Sequence, residues 1–133
     1  MVTSSNNNET ICDTIKNTLV IEDDQAIRDS IKMALEFEGY NVFTAANGKE
    51  GIEVLQKMPR PCIILLDLMM PIMNGWDFVD TVEKDMVLAT IPVVVVSAYS
   101  EGREIKASGI IKKPVDLNAL LSLVKKFCVK GQG

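Results

Sequence analysis

The feature that most constrains this chain is a repeated change of hydrophobic period. Short apolar runs alternate with segments in which apolar residues recur every three or four positions. Leu19-Val20-Ile21 is the first run; Ile27, Ile31, Ala34 and Leu35 follow at helical spacing and Gly39 closes them. Residues 40–45 read as a second strand. Asn47 is placed as an N-cap with Glu50 three positions on, in the manner of a capping box, and the helix it opens carries Gly51, Leu55 and Met58 on one face. Pro59 and Pro61 punctuate its end, before a third run, Ile63-Ile64-Leu65-Leu66. Asn74 caps a helix bearing Phe78, Val79, Val82 and Met86; Pro92 precedes a fourth strand at 93–96; Ile110-Ile111 is a short fifth. A last helix starts near Asp116 and presents Leu117, Leu120, Leu121, Val124 and Cys128.

Five strand-helix units in succession imply a parallel sheet covered on both faces, an α/β three-layer sandwich. The first, third and fourth runs are continuously apolar, as central strands are, whereas the mixed second and the short fifth suit the edges. Right-handed crossovers then favour the order 2-1-3-4-5, although pattern alone leaves other three-layer orders open. Only fifteen residues separate Ser97 from Lys113, and the fifth strand takes several of them. The fourth helix, within 101–107, is therefore expected to be short or missing.

Composition removes several classes of function. At 133 residues the chain has room for one domain, and its formal charge of −4 argues against a broad basic face for nucleic acid. No apolar run approaches the ~20 residues of a membrane span, and the polar start lacks the features of a signal peptide. A cytoplasmic protein is expected, with a flexible polar leader at 1–16, one domain at 17–129 and a frayed tail at 130–133. The initial Met and the leader favour a stand-alone protein, although a domain cut from a larger one would look much the same. There is no histidine, which excludes Ser-His-Asp and Cys-His catalysis. Cys12, Cys62 and Cys128 are odd in number, far apart and without a CxxC pair. Neither a zinc site nor a disulfide framework is indicated, and the three are expected to be small buried apolar residues.

In an open α/β sheet, ligands bind beyond the carboxyl ends of the strands where the winding reverses, here between strands one and three. The first strand ends in Glu22-Asp23-Asp24, the third in Asp67, the fourth in Ser97-Ala98 and the fifth in Lys112-Lys113-Pro114. Alone, each group reads blandly: a solvated strand-end acid, a charged loop, a turn serine, a surface lysine. Together they place acids, a hydroxyl and an ammonium at one sheet edge. Clustered carboxylates repel, and a hard divalent cation such as Mg²⁺ relieves the repulsion, with Mn²⁺ a substitute. With the metal bound, a phosphoryl group can bridge metal, Ser97 and Lys113, while the Asp67 carboxylate serves as nucleophile and forms an acyl phosphate.

With these residues in place, the chain resembles the response-regulator receiver family of two-component signalling over residues 18–127. The segments that carry the resemblance are Leu19-Val-Ile-Glu-Asp-Asp, Leu65-Leu-Asp-Leu-Met-Met-Pro-Ile-Met-Asn-Gly75, Val95-Val-Ser-Ala98 and Lys112-Lys-Pro114. The resemblance implies a flavodoxin-like fold, with Asp67 as phosphoacceptor and metal ligand. It implies that Asp23 binds the metal directly, Glu22 acts through water and Met69 offers its backbone carbonyl. Ser97 and Lys113 would bind the phosphoryl group, Ala98 would leave room for it, and Lys113-Pro114 would be cis. Pro71 and Gly75 would shape the loop after strand three, and Asp24 would serve mainly as a helix cap. The donor would be a histidine kinase or a histidine phosphotransfer protein, and the signal would pass by altered protein contacts or onward transfer. The protein would be a monomer or weak dimer, with self-phosphorylation at Asp67 rather than conventional turnover.

Two departures stand out. The family often has Tyr or Phe three residues before the lysine as a rotating switch, and this chain has Ile110. The shortened fourth helix lies in the region through which the family commonly signals. A phosphorylation-independent interaction module on the same scaffold is the alternative these departures motivate. A phosphatase resembling the haloacid dehalogenase family would need a second acid where Met69 stands, and a flavin site would be repelled by Glu22-Asp23-Asp24. Met69 and Tyr99 flank the site in the family pattern and are expected to shield an acyl phosphate from water.

Overall fold

A computed structural model describes residues 16–98 and 104–128. The strands are β1 (Asn17–Ile21), β2 (Asn41–Ala45), β3 (Ile63–Leu66), β4 (Val93–Ser97) and β5 (Gly109–Lys112). The helices are α1 (Gln25–Phe37), α2 (Gly48–Lys57), α3 (Gly75–Glu83) and α4 (Leu117–Phe127), with a 3-10 turn at Leu88–Thr90. All strand pairs are parallel and the sheet order is β2-β1-β3-β4-β5, the expected one. The fold is flavodoxin-like.

Side-chain alternation explains why the central strands read as unbroken apolar runs. Leu19, Ile21, Ile64 and Leu66 point to the layer of α2 and α3, where they meet Leu55, Phe78, Val79 and Val82. Val20, Ile63, Leu65, Val94 and Val96 point to the other layer, where Ile31 and Leu35 of α1 meet Leu120 and Val124 of α4. Both faces are buried, so the middle of each central strand is apolar, and the buried polar residues Thr18 and Ser97 stand near the strand ends.

The helix signals were placed well at their starts. Asp24, Asn47, Asn74 and Asp116 each accept a hydrogen bond from a backbone N–H in the first turn they cap. Glu50 reaches back to Ala46 N at 2.7 Å, one residue beyond the cap, so the capping box is displaced outward. Gly39 takes φ +93° as α1 ends, a conformation that costs a residue with a side chain. The end of α3 differs from expectation. It stops at Glu83, and Met86, expected on its inner face, is 87% exposed. Asp85 is the cause: its carboxylate accepts from the N–H groups of Val87 and Leu88 at 2.9 and 3.0 Å and redirects the chain into the 3-10 turn.

The cysteine reading is corrected. Cys62 and Cys128 form a disulfide across 66 positions of sequence, with Cα atoms 5.3 Å apart. Cys62 immediately precedes β3 and Cys128 immediately follows α4. Each helix in a strand-helix unit runs back antiparallel to its strand. Helix C-termini and strand N-termini therefore gather at one edge of the sheet, and sequence distance says nothing about this proximity. Cys12 lies outside the described residues, as do the expected tail and all of the leader except Lys16.

Residues 104–107 carry no helix, and 99–103 lie outside the described residues. Ile105 and Ala107 instead lie as coil against a small cluster of Leu68, Trp76 and Val95. Among the described residues no helix is long and apolar enough to cross a membrane.

Candidate functional site

The opposite edge of the sheet, at the carboxyl ends of the strands, collects the polar residues. Glu22 follows β1 directly, and its N–H still donates to Ala45 O at 3.0 Å, which keeps it in line with the strand. Its side chain is buried. One carboxylate oxygen accepts from Asp24 N at 3.1 Å, and the other lies 2.9 Å from Lys113 Nζ. Asp24 itself turns away to cap α1 through Ile27 N. Arg28 donates from Nη1 to Glu22 O at 2.8 Å and ties the first turn of α1 to the acidic loop. Sequence reasoning missed Arg28; the available signal was a cation one turn into the helix after three acids.

Asp67 follows β3, and its N–H donates to Ile21 O at 2.9 Å, so β1 fixes its position. The next loop packs tightly against α3. A Cβ on Gly75 would stand 2.7 Å from Asp67 O and 2.8 Å from Leu68 Cα, so glycine is required for the helix to approach the loop. Asn74 caps α3 through Asp77 N at 2.9 Å. Ile72, in the same loop, has φ +69° while 77% exposed, an unfavourable backbone for a β-branched residue.

Lys113 follows β5 and donates its N–H to Ser97 O at 3.0 Å. Ser97 closes β4, pairs in register with Lys112 and is buried. The Lys113 ammonium reaches both acids, at 2.9 Å from Glu22 and 3.5 Å from Asp67. The Lys113-Pro114 peptide is cis, as the resemblance implied.

Carboxylate oxygens of Glu22, Asp23 and Asp67 lie within 4.8 Å of one another. Asp23 is exposed while the other two are buried, so the group opens to solvent on one side. Three carboxylates face a single ammonium. Burial, and then the neighbouring Glu22, push the Asp67 carboxyl up to about 7, and Lys113 offsets this only in part. Burial alone would lower the Lys113 ammonium; its hydrogen bond to Glu22 and the charges of Asp67 and Glu22 outweigh that and hold it above its ordinary value. The set consists of hard oxygen donors with excess negative charge, which fits a small divalent cation.

The side chain of Met69, two positions past Asp67, is exposed at 57%. Tyr99 lies outside the described residues. Ile110 is 63% exposed on the edge strand β5, while Ile111 turns inward.

The family model described as "Response regulator receiver domain" matches residues 18–125. The transcriptional regulatory protein CrdR of Helicobacter pylori is 36% identical over 118 residues, covering 84% of this chain and 54% of that protein. The chain thus spans about half the length of that relative. Among solved structures, the receiver domain of a signal transduction histidine kinase from Syntrophus aciditrophicus superposes with a TM-score of 0.78 at 30% identity, covering 85% of this chain and 89% of the other. The response regulator TrrA of Thermotoga maritima, solved in complex with Mg²⁺ and BeF, gives a TM-score of 0.75 at 27% identity, covering 85% and 99%.

Proposed function

We propose, from the premise that this chain belongs to the response regulator receiver family, that it takes a phosphoryl group from a partner's phosphohistidine onto Asp67 in a Mg²⁺-dependent reaction. The observation that carries the proposal is the convergence of Glu22, Asp23 and Asp67, with Lys113 joining two of them. Asp23, Asp67 and the Met69 backbone carbonyl would hold the cation, and Glu22 would act on it through water. A divalent cation there would supply charge neutralisation for the phosphoryl oxygens and would favour the ionised form of Asp67 near neutral pH.

An Asp67 carboxylate oxygen attacks phosphorus, the phosphorus–nitrogen bond to the donor imidazole breaks, and that nitrogen keeps the electron pair. Lys113, already beside Asp67, follows the transferred group and neutralises it. Ser97, at the end of β4, binds a phosphoryl oxygen, and the exposed Ala98 leaves space. The donor is a histidine kinase or a histidine phosphotransfer protein, since this chain has no histidine of its own. We place the reaction in the cytoplasm, where such donors present their phosphohistidines.

The test is intact-mass spectrometry after incubation with acetyl phosphate and Mg²⁺. A labile phosphate adduct that needs Mg²⁺ and is absent from Asp67→Asn is the expected result. The exposed Ile110 and the unhelical 104–107 favour one second reading, an interaction module that works without phosphate. That reading gains if wild type binds Mg²⁺ and still takes no phosphate.

A further inference from the structure

At the edge of the sheet opposite the acids, the Cys62–Cys128 bond lies against a groove that the phosphoryl chemistry does not use. The groove has a volume of about 430 Å³ and lies where the α1–β2 turn meets α4. Cys128 forms part of its wall, together with the side chains of Lys16, Lys125, Asn118 and Ser122. Cys128 is 6% exposed, and Cys62 is only partly buried. The bond therefore sits beside a solvent-connected groove rather than in the middle of the core.

Two ammonium groups line the groove against one carboxylate. Lys16 and Lys125 line it, and Lys126 is also in the last turn of α4. Glu38 and the negative ends of the α1 and α4 dipoles oppose them. Lys16 is held near one place, because its ammonium lies over the Tyr40 ring at 5.8 Å and its carbonyl accepts from Asn41 N at 3.0 Å. This local excess stands out in a chain whose formal charge is −4.

We infer that Cys62 and Cys128 are a thiol–disulfide exchange site whose reaction partners are small anionic thiols and their disulfides, entering over Lys16 and Lys125. The thiolate of the incoming molecule attacks Cys128 Sγ, the Sγ–Sγ bond breaks, and Cys62 leaves as a thiolate that takes a proton from water. A second molecule attacks the mixed disulfide, releases its own disulfide and leaves Cys128 as a thiol. Two thiols are oxidised as the protein bond gains two electrons and two protons. Cys62 Sγ lies 3.4 Å from Asn17 O, an acceptor that a thiol proton would meet there once the bond opens. The reverse reaction, with the small disulfide as oxidant, closes the bond. The site ties the end of α4 to the start of β3, whose far end carries Asp67, so the small-thiol pool sets how firmly α4 is held.

The test uses the full chain with Cys12→Ser, so that any thiols released come from this pair. The oxidised protein is treated, folded and at low salt, with mercaptoethanesulfonate or with neutral 2-mercaptoethanol at matched thiolate concentration, and thiols are counted by maleimide mass tagging. Two thiols per chain are expected, with the sulfonate faster by about threefold or more despite the overall negative charge, an advantage that high salt removes. In Lys16→Gln/Lys125→Gln, which removes both ammonium groups and leaves both cysteines in place, the ratio is expected to fall to one or below. The inference is overturned if the folded protein releases no thiols, if only a protein dithiol opens the bond, if the neutral thiol matches the sulfonate, or if the double variant keeps the preference. It is also overturned if air-purified protein already carries both thiols and a small anionic disulfide fails to close them.

Discussion

At the scale of single residues, Asp67 is held at odds with its own charge. Without a cation its carboxyl is pushed up to about 7 by burial and by Glu22, well above its value in an unfolded chain. The folded state then binds more protons than the unfolded state between about pH 4 and 7, so stability is greatest below that window and is lost as pH rises through it. Asp67→Asn removes the charge, and metal-free Asp67→Asn is expected to melt ~2–5 °C above wild type at pH 8 and close to it at pH 4. Calorimetry in a chelating buffer checks this, and equal shifts at both pH values would contradict it. Ile72 is a second residue at odds with its setting: its φ of +69° suits glycine or asparagine, and its exposed side chain contributes little packing. Ile72→Gly is expected to raise stability by roughly 0.5–1 kcal/mol in urea unfolding; a loss would show that the side chain packs usefully. The acids, serine and lysine of the site were legible because each stands at or just past the carboxyl end of a strand and so must emerge at the same edge. Arg28 was missed, because its bond goes to a backbone carbonyl, Glu22 O, and a cation after three acids signals only general proximity.

At the scale of elements, the central strands were legible because both faces are buried and their middle positions are apolar, as in Ile63–Leu66. Helix starts were legible because a cap needs a particular side-chain oxygen, and Asp24, Asn47, Asn74 and Asp116 all supply one. Helix ends were less so: the helical period of α3 runs on to Met86 although Asp85 has already ended the helix. Asn74→Ala removes the acceptor for Asp77 N at the point where α3 meets the Asp67 loop. A loss of about 1 kcal/mol is expected, measured by urea unfolding, and an unchanged midpoint would mean that the Gly75 contact alone positions the helix. The disulfide was the largest miss. It depends on where α4 ends in space relative to β3, which follows from the three-dimensional return of the helix and not from cysteine spacing. Because the bond closes a loop of 66 positions, Cys62→Ala/Cys128→Ala is expected to lose about 4 kcal/mol on the chain-entropy account. Unfolding of the oxidised and double-variant proteins side by side tests the figure, and a loss below about 1 kcal/mol would place the stabilisation elsewhere.

At the scale of the whole molecule, the two edges of one sheet carry opposite local charge. The carboxyl edge gathers Glu22, Asp23 and Asp67 against Lys113, and the other edge gathers Lys16 and Lys125 beside the disulfide. The parallel sheet makes this separation possible, because all strand ends of one kind share an edge. It also means that a cation bound among the acids acts on the stability of the entire sheet, since β1, β3 and β5 each deliver a group to that place. Binding that favours the folded state raises stability by RT ln(1 + [L]/Kd), about 2.7 kcal/mol when free ligand is a hundredfold above Kd. The cation competes with the proton on Asp67, so its effect is expected to grow from pH 5 to pH 8, opposite in sign to the metal-free trend. Melting curves with saturating Mg²⁺ should therefore converge with the metal-free curves at low pH and separate from them above pH 7. For Asp67→Asn the separation should shrink at every pH, because one carboxylate ligand is gone while Glu22 and Asp23 remain. A Mg²⁺ effect of the same size at pH 5 and pH 8, or one undiminished in Asp67→Asn, would place the cation away from these three acids.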